Sequence, residues 1–187
     1  MTFEESVILE QLASEKSKKL STLSQLTHIK NQKIIDKIIS LLDDDDISIR
    51  GEVFSTLFLN ENDISERLIS ALNNPSKNIR AFCTLILANR SDKRGINSIT
   101  KLTNDFSSMV RSCAFGALGY LRASNVREQI HRGIFDSNLE VKKSAAYALI
   151  LINEKLSGDE KIELEKQSDP DFEKILKNYR NGGPEGI

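Results

Sequence analysis

Four stretches of this chain recur on nearly one period, and that regularity limits its possible folds more than any other feature. They are Asp46-Ile47-Ser48-Ile49-Arg50, Ser76-Lys77-Asn78-Ile79-Arg80, Ser107-Ser108-Met109-Val110-Arg111 and Asn138-Leu139-Glu140-Val141-Lys142, with basic residues 30, 31 and 31 positions apart. Counting from each basic residue, position −1 holds Ile49, Ile79, Val110 or Val141. Position +3 holds Val53, Cys83, Ala114 or Ala145, and +7 holds Leu57, Leu87, Leu118 or Leu149. Those offsets trace one stripe of an amphipathic helix. Upstream lies a second helical pattern: Ile34-Ile35 with Ile38-Ile39, Ile64 with Leu68 and Leu72, Ile96 with Ile99 and Leu102, and Val126 with Ile130 and Ile134. Each unit is therefore two helices, A followed by B.

The turn from A to B carries Asp44, Asn74, Asp105 or Asp136, each six residues before its basic partner. Short Asp and Asn side chains accept hydrogen bonds from free N–H groups in turns and at helix starts. Extending the period forward predicts a B helix opening at Asp169-Pro170, preceded by an A helix near 159–166. Extending it backward predicts helices over 3–13 and 14–26, with Ser14 or Ser17 as cap. The expected layout is one domain over 1–180, with repeats near 3–26, 31–61, 62–91, 93–122, 124–154 and 158–180, then a flexible tail at 181–187. Weak matches at both ends suit terminal caps, whose outer faces meet water.

Val110-Arg111-Ser112-Cys113-Ala114-Phe115-Gly116-Ala117-Leu118-Gly119-Tyr120-Leu121, preceded by Asp105, resembles the B-helix signature of short HEAT-like repeats of the phycobilisome-lyase type. Val141–Leu149 and Ile79–Leu87 look like weaker copies. The resemblance implies an all-α, right-handed α-solenoid, with A helices on the convex side and B helices lining the concave side. It implies little about activity, because the scaffold serves interaction modules, bilin lyases, a metal-dependent hydroxylase and DNA glycosylases.

The enzymatic uses of that scaffold ask for residues that this chain lacks. A diiron hydroxylase needs repeated His-Glu pairs, whereas His28 precedes Ile29 and His131 precedes Arg132. A base-excising glycosylase needs aromatic side chains around an extruded base, and there is no Trp and only 3 Tyr. No phosphate loop or nucleophile elbow is present. Cys83 and Cys113 differ by one in repeat offset, and neighbouring helices pack about 8–10 Å apart, so reduced thiols are expected. Gly116 and Gly119 are expected to allow close helix packing. No catalytic residue, cofactor or metal site is assigned. Hydrophobic residues at 39% with charged residues at 28% place the chain between disorder and a membrane protein. No apolar segment approaches the roughly 18 residues of a membrane span, so the expectation is a cytoplasmic location with no membrane partner.

The net charge of −1 hides a pattern. Residues 1–73 carry 8 Lys+Arg and 13 Asp+Glu, residues 74–133 carry 10 and 3, and residues 134–187 carry 8 and 11. In the central block, Arg90, Lys93, Arg94, Arg122 and Arg127 cluster near B-to-A connections, on one predicted edge. Arginine forks suit carboxylates and phosphates, so this edge is one candidate docking site. A second is the B-helix face at offsets +2, +5 and +9, where Phe82, Leu85, Tyr120 and Tyr147 either line a groove or pack between repeats. The stacked basic residues Arg50, Arg80, Arg111 and Lys142 are read as a structural ladder to Asp44, Asn74, Asp105 and Asp136.

These observations favour a non-enzymatic scaffold or adaptor for another protein with an acidic or amphipathic segment. The other two readings are a bilin-lyase-like, chromophore-handling protein and a nucleic-acid-binding repeat protein. The acidic flanks disfavour the latter.

Overall fold

The computed structural model describes residues 3–167 and 169–180; the expected tail at 181–187 lies outside them. Among the described residues the chain is helical and turns, without strands. It divides into two compact units, Met1–Arg90 and Ser91–Ile187.

The first unit contains α1 (Phe3–Leu12), α2 (Lys16–Leu23), α3 (Gln32–Ser40), α4 (Ile47–Phe58), α5 (Ser65–Ala71) and α6 (Lys77–Asn89). A helices pack on A helices, α1 against α3 and α3 against α5, while α2 packs on α4 and α4 on α6. The second unit contains α7 (Ile96–Leu102), α8 (Ser108–Tyr120), α9 (Arg127–Arg132), α10 (Leu139–Leu151), α11 (Gly158–Glu165) and α12 (Pro170–Arg180). Here α8 packs on α10 and α10 on α12, with α7 against α8, α9 against α10, and α11 against α12. α9 is short because tight 3-10 turns at Ser124–Val126 and Gly133–Phe135 take up Val126 and Ile134 of the apolar pattern, whereas α7, entered through a 3-10 turn at Lys93–Gly95, keeps Ile96, Ile99 and Leu102.

The apolar stripe supplies the core. All twelve residues at offsets −1, +3 and +7 are buried, from Ile49 through Leu149. Each of the nine Ile, Val and Leu side chains among them contributes about 1.5–3 kcal/mol on burial, more than the roughly 1 kcal/mol of a helix cap. Caps therefore set where helices begin, and burial decides that they persist. In the A helices and the 3-10 turns that flank them Ile34, Ile38, Leu68, Ile99, Ile130 and Ile134 are buried, whereas Ile69, Ile96 and Val126 are half-exposed.

The turn acids recur in one geometry. The side-chain oxygens of Asp44, Asn74, Asp105, Asp136 and Asp169 accept from the N–H two residues on, at 2.8–3.0 Å. The helix cap itself falls at that second residue: Asp46 caps α4, Ser76 caps α6 and Asn138 caps α10. Glu15, rather than Ser14 or Ser17, holds the cap position of α2 and makes no side-chain capping bond. Three B helices end in a left-handed residue that is not glycine, namely Ser91 (φ 54°), Arg122 (φ 55°) and Asn153 (φ 61°). At α8, the Arg122 N–H donates to Gly119 O and the Ala123 N–H to Leu118 O, both at 3.0 Å. These bonds satisfy carbonyls that the helix end leaves open.

Candidate functional site

In three of the four central repeats the basic residue turns first onto its own backbone. Arg50 Nη1 donates to Asp44 O at 2.6 Å and to Asp45 O at 3.0 Å. Arg80 holds Asn74 O and Pro75 O at 2.8 Å, and Arg111 holds Asp105 O at 2.9 Å. Arg111 also forks across to Asp136, with Nε–Oδ2 at 2.7 Å and Nη2–Oδ1 at 2.8 Å. Lys142 is buried and pairs with Glu163. Lys19, 31 residues before Arg50, takes the same part by reaching Asp44 at 2.8 Å. Burial raises the Asp136 carboxyl, but the Arg111 fork, the Asn138 N–H and the charges of Arg111 and Lys142 outweigh it and hold the group below the ordinary carboxylate range. Asp44 is held low in the same way, burial being outweighed by Lys19 and the Asp46 N–H.

The edge arginines divide by what their forks already hold. Arg90, expected to face a partner, instead clamps the end of α4: Nη1 reaches Leu57 O, Phe58 O and Asn60 O at 3.1, 3.0 and 2.6 Å, and Nη2 reaches Asn62 O at 2.8 Å. Those carbonyls include helix-end acceptors that want a cation. Arg94 forks onto buried Asp92 at 2.9 Å through both Nε and Nη2. Arg122 donates to Leu151 O at the end of α10. Lys93 is exposed, and Arg127 comes only within 3.8 Å of Glu154.

On the B-helix face, Phe82 is half-buried and meets Phe54 edge to face, with ring centroids 6.4 Å apart; Leu85 is also half-buried. Tyr120 and Tyr147 differ from Phe82. They are 56% and 42% exposed, and among the described residues neither stacks on another ring. They share the outer face of α8 and α10 with Met109, which is 40% exposed, and with the hydroxyl pair Ser112–Ser144 at 2.8 Å. Between them Gly116 leaves open space, with nothing within 4 Å of where its Cβ would stand. The arrangement is a face with apolar, aromatic and hydroxyl groups, able to bury a partner's side chains and pair its backbone.

Nucleophiles and metal donors are not gathered there. Both cysteines are free; burial pushes the Cys83 thiol up to about 12 and also raises Cys113, which leaves little thiolate at neutral pH. His131 Nδ1 sits 2.6 Å from buried Glu160, whose other oxygen accepts from the Ser157 N–H in a capping box. Among the described residues no group of three His, Cys, Asp or Glu is placed to hold a metal ion. No helix of the described residues is long and apolar enough to cross a membrane.

No family model and no curated protein matches the sequence. Solved structures do match. YibA of E. coli superposes with a TM-score of 0.66 at 20% identity, over 90% of this chain and 64% of that one. The CpcE–CpcF complex of phycocyanin lyase from Nostoc sp. PCC7120 gives 0.58 at 17%, over 91% and 73%. A designed armadillo repeat protein in complex with the peptide (KR)4 gives 0.54 at 16%, over 93% and 97%. The fold is that of HEAT/armadillo-like repeat proteins.

Within that all-α solenoid class, each A/B pair of this chain offers two surfaces, and the sequence reading named residues on both. It missed Arg132, which lines a cavity with Arg127, although its position five residues on in the same A helix was a usable signal. It also missed Met109, one turn before Cys113 on the same face as Tyr120, and the fully exposed Phe106. Lys19 was missed as well, although it lies 31 residues before Arg50, one period back.

Proposed function

We propose that this chain is a non-enzymatic protein-recognition module whose main docking face is formed by α8 and α10, with Tyr120 and Tyr147 as anchors and Met109 beside them. One observation carries the reading: two large aromatic side chains stand exposed on the same face of adjacent B helices, with no ring partner of their own. Tyrosine buries a large ring at low entropic cost and keeps a hydroxyl for a backbone bond, which is why it recurs in interaction hot spots. The open space at Gly116 gives a partner side chain somewhere to go. Peptide binding by the designed armadillo protein supports the same use of the fold. The likeness to CpcE–CpcF shows the fold and favours no chromophore site in particular. Two free thiols suit the reducing cytoplasm.

Selection of short peptides from a random display library against the intact chain tests the proposal. Selected peptides are expected to lose about tenfold or more in affinity for the Tyr120→Ala/Tyr147→Ala variant, with its helicity and melting temperature unchanged. Peptides that bind the double variant as tightly as the parent contradict it.

A further inference from the structure

Nine arginines have described side chains, and seven of them donate to a close acceptor. Arg50, Arg80 and Arg90 hold backbone carbonyls, Arg67 holds Asp36, Arg94 holds Asp92, Arg111 holds Asp136 and a carbonyl, and Arg122 holds Leu151 O. Arg127 and Arg132 are different. Arg127 approaches Glu154 at 3.8 Å, and Arg132 approaches the Gln129 side-chain oxygen at 3.4 Å. Both lie beyond the roughly 2.7–3.2 Å of a good N–H···O bond. Both are exposed, so their donor forks are open to a ligand.

The same two arginines line one cavity of about 340 Å³ beside α7 and α9, together with Ser124, Asn125, Glu128 and Gln129. That size sits at the low end of the roughly 300–1,000 Å³ typical of ligand sites. Its hydroxyl and amide groups can add hydrogen bonds to an oxyanion that the guanidinium forks hold. Glu128 reduces the wall's charge, so a monoanionic carboxylate meets less repulsion than a phosphate dianion. The chain segment that builds the cavity wall is basic in balance, residues 91–133 holding 7 Lys+Arg against 3 Asp+Glu, with Glu154 standing 3.8 Å from Arg127. A field of that kind speeds the encounter with an acidic partner and weakens with salt.

We infer that this cavity is a carboxylate-recognition site that takes an Asp or Glu side chain from an acidic segment of a partner protein. It narrows the candidate edge of Arg90, Lys93, Arg94, Arg122 and Arg127 to Arg127 with Arg132. It lies beside A helices and does not rest on the tyrosine face of α8 and α10.

The test uses the full chain and a fluorescein-labelled (Asp-Glu)4 peptide, followed by fluorescence anisotropy at low salt. Saturable binding is expected, weakened about tenfold by Arg127→Gln/Arg132→Gln and changed less than about twofold by Arg94→Gln, whose fork Asp92 already fills. Arg132→Lys keeps the charge but loses the fork, and a loss of about threefold is expected. Absence of saturable binding overturns the inference, as does binding that survives the double variant. Stronger displacement by inorganic phosphate than by glutarate, or tighter binding of a single-stranded oligo-dT at the same residues, also overturns it. None of these results bears on peptides selected against Tyr120 and Tyr147, which respond to separate variants.

Discussion

The pair α4/α6 in the first unit and the pair α8/α10 in the second solve the same stacking problem with opposite means. Between α4 and α6 the space is filled by rings, Phe54 against Phe82 and, along α4, Phe54 against Phe58 at 6.5 Å. Between α8 and α10 the helices close on small residues at one crossing, where a Cβ at Gly119 would lie 2.6 Å from Ala148 Cα. The consequence reaches the surface. Where rings fill the interface, Phe82 packs against Phe54; where small residues fill it, Tyr120 and Tyr147 are left outward. Both pairs have buried −1, +3 and +7 residues, so the difference arises outside the repeat consensus.

The largest effect should come from forcing the close pair apart. Gly119→Val places methyl groups into the α10 backbone and should cost about 3 kcal/mol or more in chemical denaturation, because a packed core resists added volume. The aromatic pair should tolerate change better. Phe82→Ala removes a half-buried ring and its edge-to-face partner, and should cost about 2 kcal/mol by the same measurement. If Gly119→Val proves milder than Phe82→Ala, the contrast between the two interfaces fails.

A smaller effect is expected from the charged ladder that brackets α8 and α10. The Asp136 carboxyl is held below its ordinary value in the folded chain, so its stabilisation is complete above the unfolded value near pH 3.9 and is lost as pH falls through the folded one. The melting temperature should therefore drop below about pH 4, and Asp136→Asn should flatten that drop while costing about 1–2 kcal/mol at neutral pH. An unchanged acid profile in Asp136→Asn would assign the acid sensitivity to other carboxylates. The smallest effect is on the face itself: Tyr147→Ala should change stability by less than about 1 kcal/mol, since the residue is 42% exposed and, among the described residues, stacks on no other ring. A cost like that of Phe82→Ala would show that Tyr147 serves the fold.

Much of the core was legible because burial follows the 3.6-residue period, and Val53, Cys83, Ala114 and Ala145 fall where that period puts them. The turn acids were legible because their role is local, completed within two residues. The arginines were not. Charge counting treats Arg90 and Arg127 alike, but Arg90 reaches carbonyls about 30 residues back along the chain, a contact no local pattern encodes. The left-handed ends at Ser91, Arg122 and Asn153 were hidden too, since no glycine marks them. Gly116-x-x-Gly119 was half readable: Gly119 serves close packing, whereas Gly116 faces open space. Spacing placed both glycines on the helix, but only the position of α10 distinguishes them.

The most direct test of recognition by the α8/α10 face is hydrogen–deuterium exchange of the intact chain with and without a display-selected peptide. Slowed exchange along Ser108–Tyr120 and Leu139–Leu151, with α7 and α9 unchanged, is the predicted result. Protection confined to α7 and α9, with α8 and α10 exchanging as in the free protein, would contradict it.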